Sequence, residues 1–265
     1  MIEATHLSKR YGEIAAVDDV SFTVERGEVV GFLGPNGAGK TTTMRMLTGF
    51  LPPTNGSARI CGHDIFTEPL EARRAIGYLP ESPPLYPEMT VHSYVDYVAR
   101  IKDVPRRERR AKVDRALERC GLAQVSRRVI GTLSKGFRQR VGLAQAIVHE
   151  PPVLILDEPT IGLDPIQIGE IRALIAGLAG GDGEARHTVI LSTHILPEVE
   201  AICRRVVMIN EGRKTVDAPL AELMRGGHGL EELFARVTAQ DITDRAGASL
   251  AQRAEGERSP SGGQP

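Results

Sequence analysis

Val29-Val30-Gly31-Phe32-Leu33 runs directly into Gly34-Pro35-Asn36-Gly37-Ala38-Gly39-Lys40-Thr41-Thr42, and Met44 and Leu47 follow at helical spacing. The apolar run predicts a buried strand, and the spacing after it predicts a helix. Between them stands a complete G-x-x-x-x-G-K-T. Glycines let the backbone curl so that successive N–H groups point inward at phosphate oxygens, which side chains would otherwise block. The helix amino terminus adds its partial positive charge. Lys40 is predicted to reach the β- and γ-phosphate oxygens and Thr41 to offer its hydroxyl to Mg²⁺, within a cradle built by Gly34, Pro35, Asn36, Gly37, Ala38, Gly39 and Thr42. The loop therefore predicts a nucleoside triphosphate site.

Further along, Val153-Leu154-Ile155-Leu156 predicts a second buried strand, with Asp157 and Glu158 emerging from its end ahead of Pro159. Asp157 suits the Mg²⁺ shell, and Glu158 can orient or deprotonate an attacking water. The first third of the chain is β-rich: Val20, Phe22 and Val24 alternate with polar residues, and Ser57–Cys61 reads as a strand before a turn at Gly62-His63-Asp64. From about Glu88 to Glu150 the period becomes helical. Val113, Ala116, Leu117 and Cys120 repeat at i, i+3, i+4, i+7, and Gly121 stands where a helix would stop. Strands at Val153–Leu156 and Thr188–Leu191 flank a helical stretch around Ile168–Leu178, the pattern of a parallel sheet with crossover helices. Arg205–Ile209 and Arg213–Val216 predict a hairpin about Asn210-Glu211-Gly212.

Composition limits what such a chain can be. It has 265 residues, 33 basic and 34 acidic side chains and a formal charge of −1, without the basic surplus of a nucleic-acid binder. No apolar run approaches the roughly 18–20 residues of a membrane helix. Met1 to Arg10 carries charge where a secretory signal would be apolar, so a cytoplasmic protein is expected. Cys61, Cys120 and Cys203 are scattered without metal spacing and read as reduced core thiols. The seven histidines likewise lack the spacing of a zinc site. Arg100–Arg119 holds nine basic against four acidic residues, but no aromatic lies there to stack on bases, so a solvated helix face is expected.

Many enzymes join a phosphate loop to an acidic strand end, and a third segment selects among them. Leu133-Ser134-Lys135-Gly136-Phe137-Arg138-Gln139-Arg140 precedes an apolar helical run, and Ser134 lies 23 residues before Asp157. This resembles the signature of ATP-binding cassette (ABC) proteins, over about residues 2–236. The resemblance implies an α/β P-loop NTPase cassette with two additions. An antiparallel β subdomain is expected from the first third plus the 205–216 hairpin, and an inserted α-helical subdomain at about 82–150. In that family the signature serine and glycine, here Ser134 and Gly136, complete the ATP site of the opposite subunit. Tyr11 matches the aromatic that stacks on adenine. Ile161-Gly162-Leu163-Asp164 matches the loop that touches the partner, and His194 the switch histidine that contacts the γ-phosphate.

Departures from the pattern are informative. Lys135 stands where the family usually has Gly, and Phe137 where it has Gln. Lys135 can add attraction beside phosphate or point into solvent. The lobe-joining loop Gly77-Tyr78-Leu79-Pro80-Glu81 offers Glu81 in place of Gln, a carboxylate able to engage Mg²⁺ or its water, and Ile161 replaces a small polar residue. These variants, and Leu230-Glu231-Glu232-Leu233-Phe234, resemble a branch of exporter ATPases serving drug, polysaccharide or motility-type permeases. The resemblance implies a head-to-tail dimer with itself or a homologous cassette, ATP and Mg²⁺ as ligands, and separate transmembrane permease subunits at the cytoplasmic face of the membrane. The Pro-rich Glu81–Pro87 segment is expected near the permease contact. A soluble ABC ATPase of DNA repair or translation is the alternative, and a P-loop kinase a more distant one. The cassette is expected over residues 1–236, followed by a tail at 237–265 that is disordered from Ser259 to Pro265.

Overall fold

Strand β3 (Val29–Leu33) lies inside a six-stranded sheet, which explains why all five of its residues are apolar or glycine and all are buried. A computed structural model of the chain describes residues 1–180, 187–226 and 229–238. Before β3 come β1 (Ile2–Tyr11) and β2 (Ile14–Val24), and after it α1 (Lys40–Leu47), β4 (Asn55–Ile60), β5 (His63–Asp64), α2 (Pro69–Arg74) and β6 (Ile76–Leu79). Helices α3 (Val91–Ile101), α4 (Arg106–Arg119) and α5 (Lys135–Ile147) intervene before β7 (Val153–Asp157). Then follow α6 (Pro165–Gly180), β8 (Thr188–Thr193), α7 (Leu196–Ile202), β9 (Arg205–Asn210) and β10 (Arg213–Pro219). Two compact units are present, Met1–Glu222 and Leu223–Pro265; of the second, the described residues include a short turn at Met224–Gly226 and a helix over 230–238. The expected disorder at Ser259–Pro265 lies outside the described residues.

The large sheet has the order β10-β9-β3-β8-β7-β6, parallel throughout except for β10 on β9. A smaller antiparallel sheet has the order β2-β1-β4-β5. Side chains alternate across β3: Val30 and Phe32 enter a core cluster with Ile2, Leu7, Met44 and Ile60, while Gly31 turns to the other face. There a Cβ on Gly31 would stand 2.9 Å from Val199, so α7 lies close over the strand. Phe32 is fully buried and 5.5 Å from the Phe22 ring, and its truncation to Ala would cost about 3–5 kcal/mol.

The 205–216 hairpin departs from expectation. It was predicted for the antiparallel subdomain, but β9 pairs in parallel with β3 and extends the large sheet. Val206, Val207, Met208 and Ile209 are all buried, and a run apolar on both faces requires cover on both sides. Contacts to β2 come from the turn and the strand's start: the Asp18 N–H donates to Gly212 O, Arg213 pairs with Asp18 at 2.7 Å, and Arg205 donates to Thr23 O. A smaller correction concerns Gly62-His63-Asp64. The left-handed residues are Cys61 and Gly62, so the turn falls one residue earlier and His63 and Asp64 pair with β4.

The helical insertion falls between β6 and β7. Gly121, at φ +65°, ends α4 as its position predicted, and burial covers Val113, Ala116, Leu117 and Cys120. The opposite face of α4 is solvated and laced with ion pairs, including Lys112 and Arg115 on Glu150. Helix α5 returns to the large sheet, where Gln145 Nε2 donates to Tyr78 O at 2.7 Å. Cys120 and Cys203 are buried and free, and burial pushes both thiols up to about 12.

Candidate active site

Three chain segments meet at the ends of β3, β7 and β8. The glycine loop enters α1 through Gly39, whose φ of +103° suits glycine and whose absent Cβ would lie 2.5 Å from Ala16 O. Gly37, at φ +81°, has open space around it, and no acid occupies the first turn of α1. Such a turn, with its positive dipole end uncompensated, is suited to an anion. Asn36, Gly37, Gly39, Lys40, Thr41 and Thr42 line a concavity of about 330 Å³, together with Ala16, Glu81, Glu158 and Ile161. Gly34 and Pro35 take part through their carbonyls, and Ala38 is buried behind the loop, accepting the Gly212 N–H.

Lys40 and Glu158 are both almost fully buried, and Lys40 Nζ lies 3.3 Å from Glu158 Oε1 while donating to Gly34 O at 2.8 Å and Pro35 O at 3.1 Å. His194 Nδ1 lies 2.9 Å from each Glu158 oxygen. An ionised carboxylate only accepts, so Nδ1 carries the proton and donates it to Glu158. Glu158 itself adopts φ +49°, a left-handed backbone conformation that costs a non-glycine residue about 1–3 kcal/mol. Its N–H donates to Ser192 O at 2.8 Å, tying the end of β7 to β8.

Asp157 is buried on the α1 side. Oδ1 accepts from Ser192 Oγ at 2.8 Å and Thr41 Oγ1 at 3.4 Å, whereas the buried Oδ2 has no hydrogen-bond partner. Burial raises the Asp157 carboxyl above its ordinary value, the two hydroxyls lower it, and Glu158 and Glu81 raise it again. An orphaned, desolvated carboxylate oxygen beside a threonine hydroxyl is a donor set that fits a hard divalent cation. Ser192, which belongs to none of the motifs in the sequence, thus orients the Asp157 carboxylate. Its signal was its place opposite Asp157 in a parallel strand pair.

Two predicted groups stand apart. Ser134 caps α5 by accepting the Phe137 N–H, and Ser134 and Gly136 line a different hollow with Phe137, Arg140, Gln167 and Glu170. Tyr11 does not line the glycine-loop concavity. It stands half-exposed at the end of β1, with the Lys9 ammonium 5.6 Å from its ring, on the hairpin that leads to Ala16. Lys135 Nζ reaches over Gly162, where a Cβ would collide with it, so the departure from the signature rests against the Ile161–Asp164 loop of the same chain. A separate groove of about 410 Å³ is lined by residues that include Arg45, Phe50, Tyr78, Pro80, Pro84 and His149.

A sequence profile described as "ABC transporter" matches residues 17–161, more than half the chain. The chain belongs to the ABC transporter family. It is 40% identical over 225 residues to the bacitracin transport ATP-binding protein BcrA of Bacillus licheniformis, covering 85% of this chain and 72% of that protein. A solved structure described as the ATP-binding subunit of an ABC transporter superposes with a TM-score of 0.80 at 31% identity, covering 90% of this chain and 99% of that one. A dimeric post-hydrolysis state of the ATP-binding cassette MJ0796, bound to ADP and Pi, is similar with a TM-score of 0.73 at 25% identity, covering 83% and 98%. The ABC protein described here is accordingly an ATP-binding and ATP-hydrolysing cassette of the transporter type, and the repair or translation alternative is set aside. No helix among the described residues is long and apolar enough to cross a membrane.

Proposed function

We propose that this cassette powers an exporter: it hydrolyses ATP at a head-to-tail dimer interface, on the cytoplasmic face of the membrane, and drives separate permease subunits that choose the cargo. The observation that carries this reading is the meeting of Lys40 and Glu158 in the wall of one concavity, with His194 bonded to Glu158, while Ser134 and Gly136 line another hollow. The signature serine and glycine are thus not part of the concavity, and those of a second cassette would complete it. The bacitracin relative, and the resemblance of the 133–140 and 230–234 segments to drug-type exporters, support the direction. The cassette is taken as residues 1–236, and the 410 Å³ groove beside Pro84 supports the permease contact expected for the Glu81–Pro87 segment.

In the proposed reaction the glycine-loop N–H groups and Lys40 hold the β- and γ-phosphates, and Tyr11 stacks on adenine. Thr41 and Asp157 would hold Mg²⁺, with Glu81 on the same wall; the ion would neutralise charge developing on the phosphate oxygens. Glu158 accepts a proton from the attacking water as its oxygen bonds to the γ-phosphorus and the bridging P–O bond breaks, leaving ADP and phosphate. His194 holds Glu158 in place and contacts the γ-phosphate. Glu158→Gln tests the assignment: the variant is expected to bind ATP, lose at least about 100-fold in turnover, and accumulate ATP-bound dimers on size exclusion. Retained turnover would refute the base role.

A further inference from the structure

Side chains at the end of β8 alternate, and the alternation sends consecutive hydroxyls in opposite directions. Ser192 points toward α1 and bonds Asp157. Thr193 points the other way, toward α7, and donates to Glu198 Oε2 at 2.9 Å. The second oxygen, Glu198 Oε1, receives the hydroxyl of Thr160. All three residues are buried to 2% exposure or less. Thr193 Oγ1 also accepts the Ile195 N–H at 3.1 Å, which fixes the hydroxyl's orientation.

The carboxylate therefore bridges two loops from behind. Thr160 lies two residues after Glu158, and Thr193 directly before His194. A buried acid is costly unless its oxygens are bonded. Burial raises the Glu198 carboxyl, the Thr160 and Thr193 hydroxyls lower it, and Arg172 on α6 assists. Nothing in the phosphate cradle requires an acid here, since an apolar residue would fill the space between α7 and β8 without that cost.

We infer that Glu198 is a positioning residue for ATP hydrolysis, holding Glu158 and His194 at their 2.9 Å contact through Thr160 and Thr193. The inference rests on the proposed roles of Glu158 and His194. Loss of the bridge lets the two loops separate. A shift of about 1 Å in a catalytic pair can cost about 100-fold in rate while leaving the substrate cradle intact.

Steady-state hydrolysis by the full chain tests this. Glu198→Ala is expected to lower kcat by about 10- to 100-fold with KM for ATP within about threefold, because only the reacting geometry is disturbed. Glu198→Gln keeps an acceptor oxygen and an amide that can meet the other hydroxyl, and it is expected to recover activity to within about fivefold of the parent. In a His194→Ala background, under single-turnover conditions, Glu198→Ala should add less than about twofold, since both act on one pair. A kcat within threefold of the parent for Glu198→Ala, or equal fold-losses in both backgrounds, overturns the inference. If Glu198→Ala does not fold, Thr160→Val with Thr193→Val carries the same expectations and the same refutation. Glu158→Gln in the same assay separates the two levels: its retained turnover defeats the underlying reading, whereas its inactivity beside a fully active Glu198→Ala defeats only the bridge.

Discussion

Replacing Lys40 by Met and Glu158 by Gln, singly and together, measures how firmly the phosphate lysine is held before any phosphate arrives. The two charges are 3.3 Å apart and each side chain is about one-twentieth exposed. At an effective dielectric of 20 their attraction is about 5 kcal/mol, and desolvation of both groups offsets much of it. Lys40→Met leaves a buried carboxylate supported by His194 alone, and about 3 kcal/mol of stability should be lost. Glu158→Gln leaves Lys40 its two carbonyl acceptors and should cost about 1–2 kcal/mol. The double variant should lose about 2 kcal/mol less than the sum, which urea unfolding of the nucleotide-free chain resolves. The same coupling acts on binding, because ATP must draw Lys40 away from Glu158. Glu158→Gln is thus expected to bind ATP about 3- to 30-fold tighter by titration calorimetry, the upper figure being 2 kcal/mol converted. Single-variant losses that add within about 0.5 kcal/mol, together with unchanged ATP affinity, would refute the reasoning.

Three further outcomes are expected. Gly39→Ala places a Cβ 2.5 Å from Ala16 O at φ +103°, so thermal unfolding should reveal a loss of about 2 kcal/mol or more alongside weakened nucleotide binding. Asp157→Asn keeps the Ser192 and Thr41 bonds to Oδ1 but removes charge from the orphaned Oδ2. The Mg²⁺ concentration for half-maximal turnover should rise at least about tenfold with metal-free ATP affinity little changed, and an unmoved Mg²⁺ curve would exclude Asp157 from the metal shell. Burial, reinforced by Lys102, pushes His149 down to about 3. The unfolded chain then binds the proton first, so this stability is complete above about pH 6.5 and declines as pH falls from there toward 3, by about 1.4 kcal/mol at pH 5.5. His149→Leu should flatten the difference in urea stability between pH 7.5 and 5.5, and an unchanged slope would contradict it.

Much of the cassette was legible because its decisive features are short-range. Val29–Leu33, the glycine loop and the first turns of α1 are contiguous, and each residue's requirement, apolar cover or positive φ or a free helix end, is met within a few neighbours. Gly121 ending α4 is the same kind of signal. The hairpin at 205–216 was recognised as a hairpin but assigned to the wrong sheet. Its turn chemistry is local, whereas the choice between neighbours depends on cover for Val206–Ile209 from elements far away in sequence. The bridge by Glu198 was invisible for a related reason: Thr160 and Glu198 are 38 residues apart, and neither belongs to a motif.

By itself, then, the order of residues determined a phosphate-binding strand–loop–helix, an acidic strand end and a parallel-sheet pattern, because those follow from backbone freedom, charge and periodicity along the chain. Only the tertiary structure decided that Lys40, Glu158 and His194 share one contact, that Oδ2 of Asp157 is left open, and that Ser134 lies elsewhere. Those facts depend on which strand ends lie side by side, and that is settled by burial of the two sheets against α1 and α7 rather than by any local stretch of sequence.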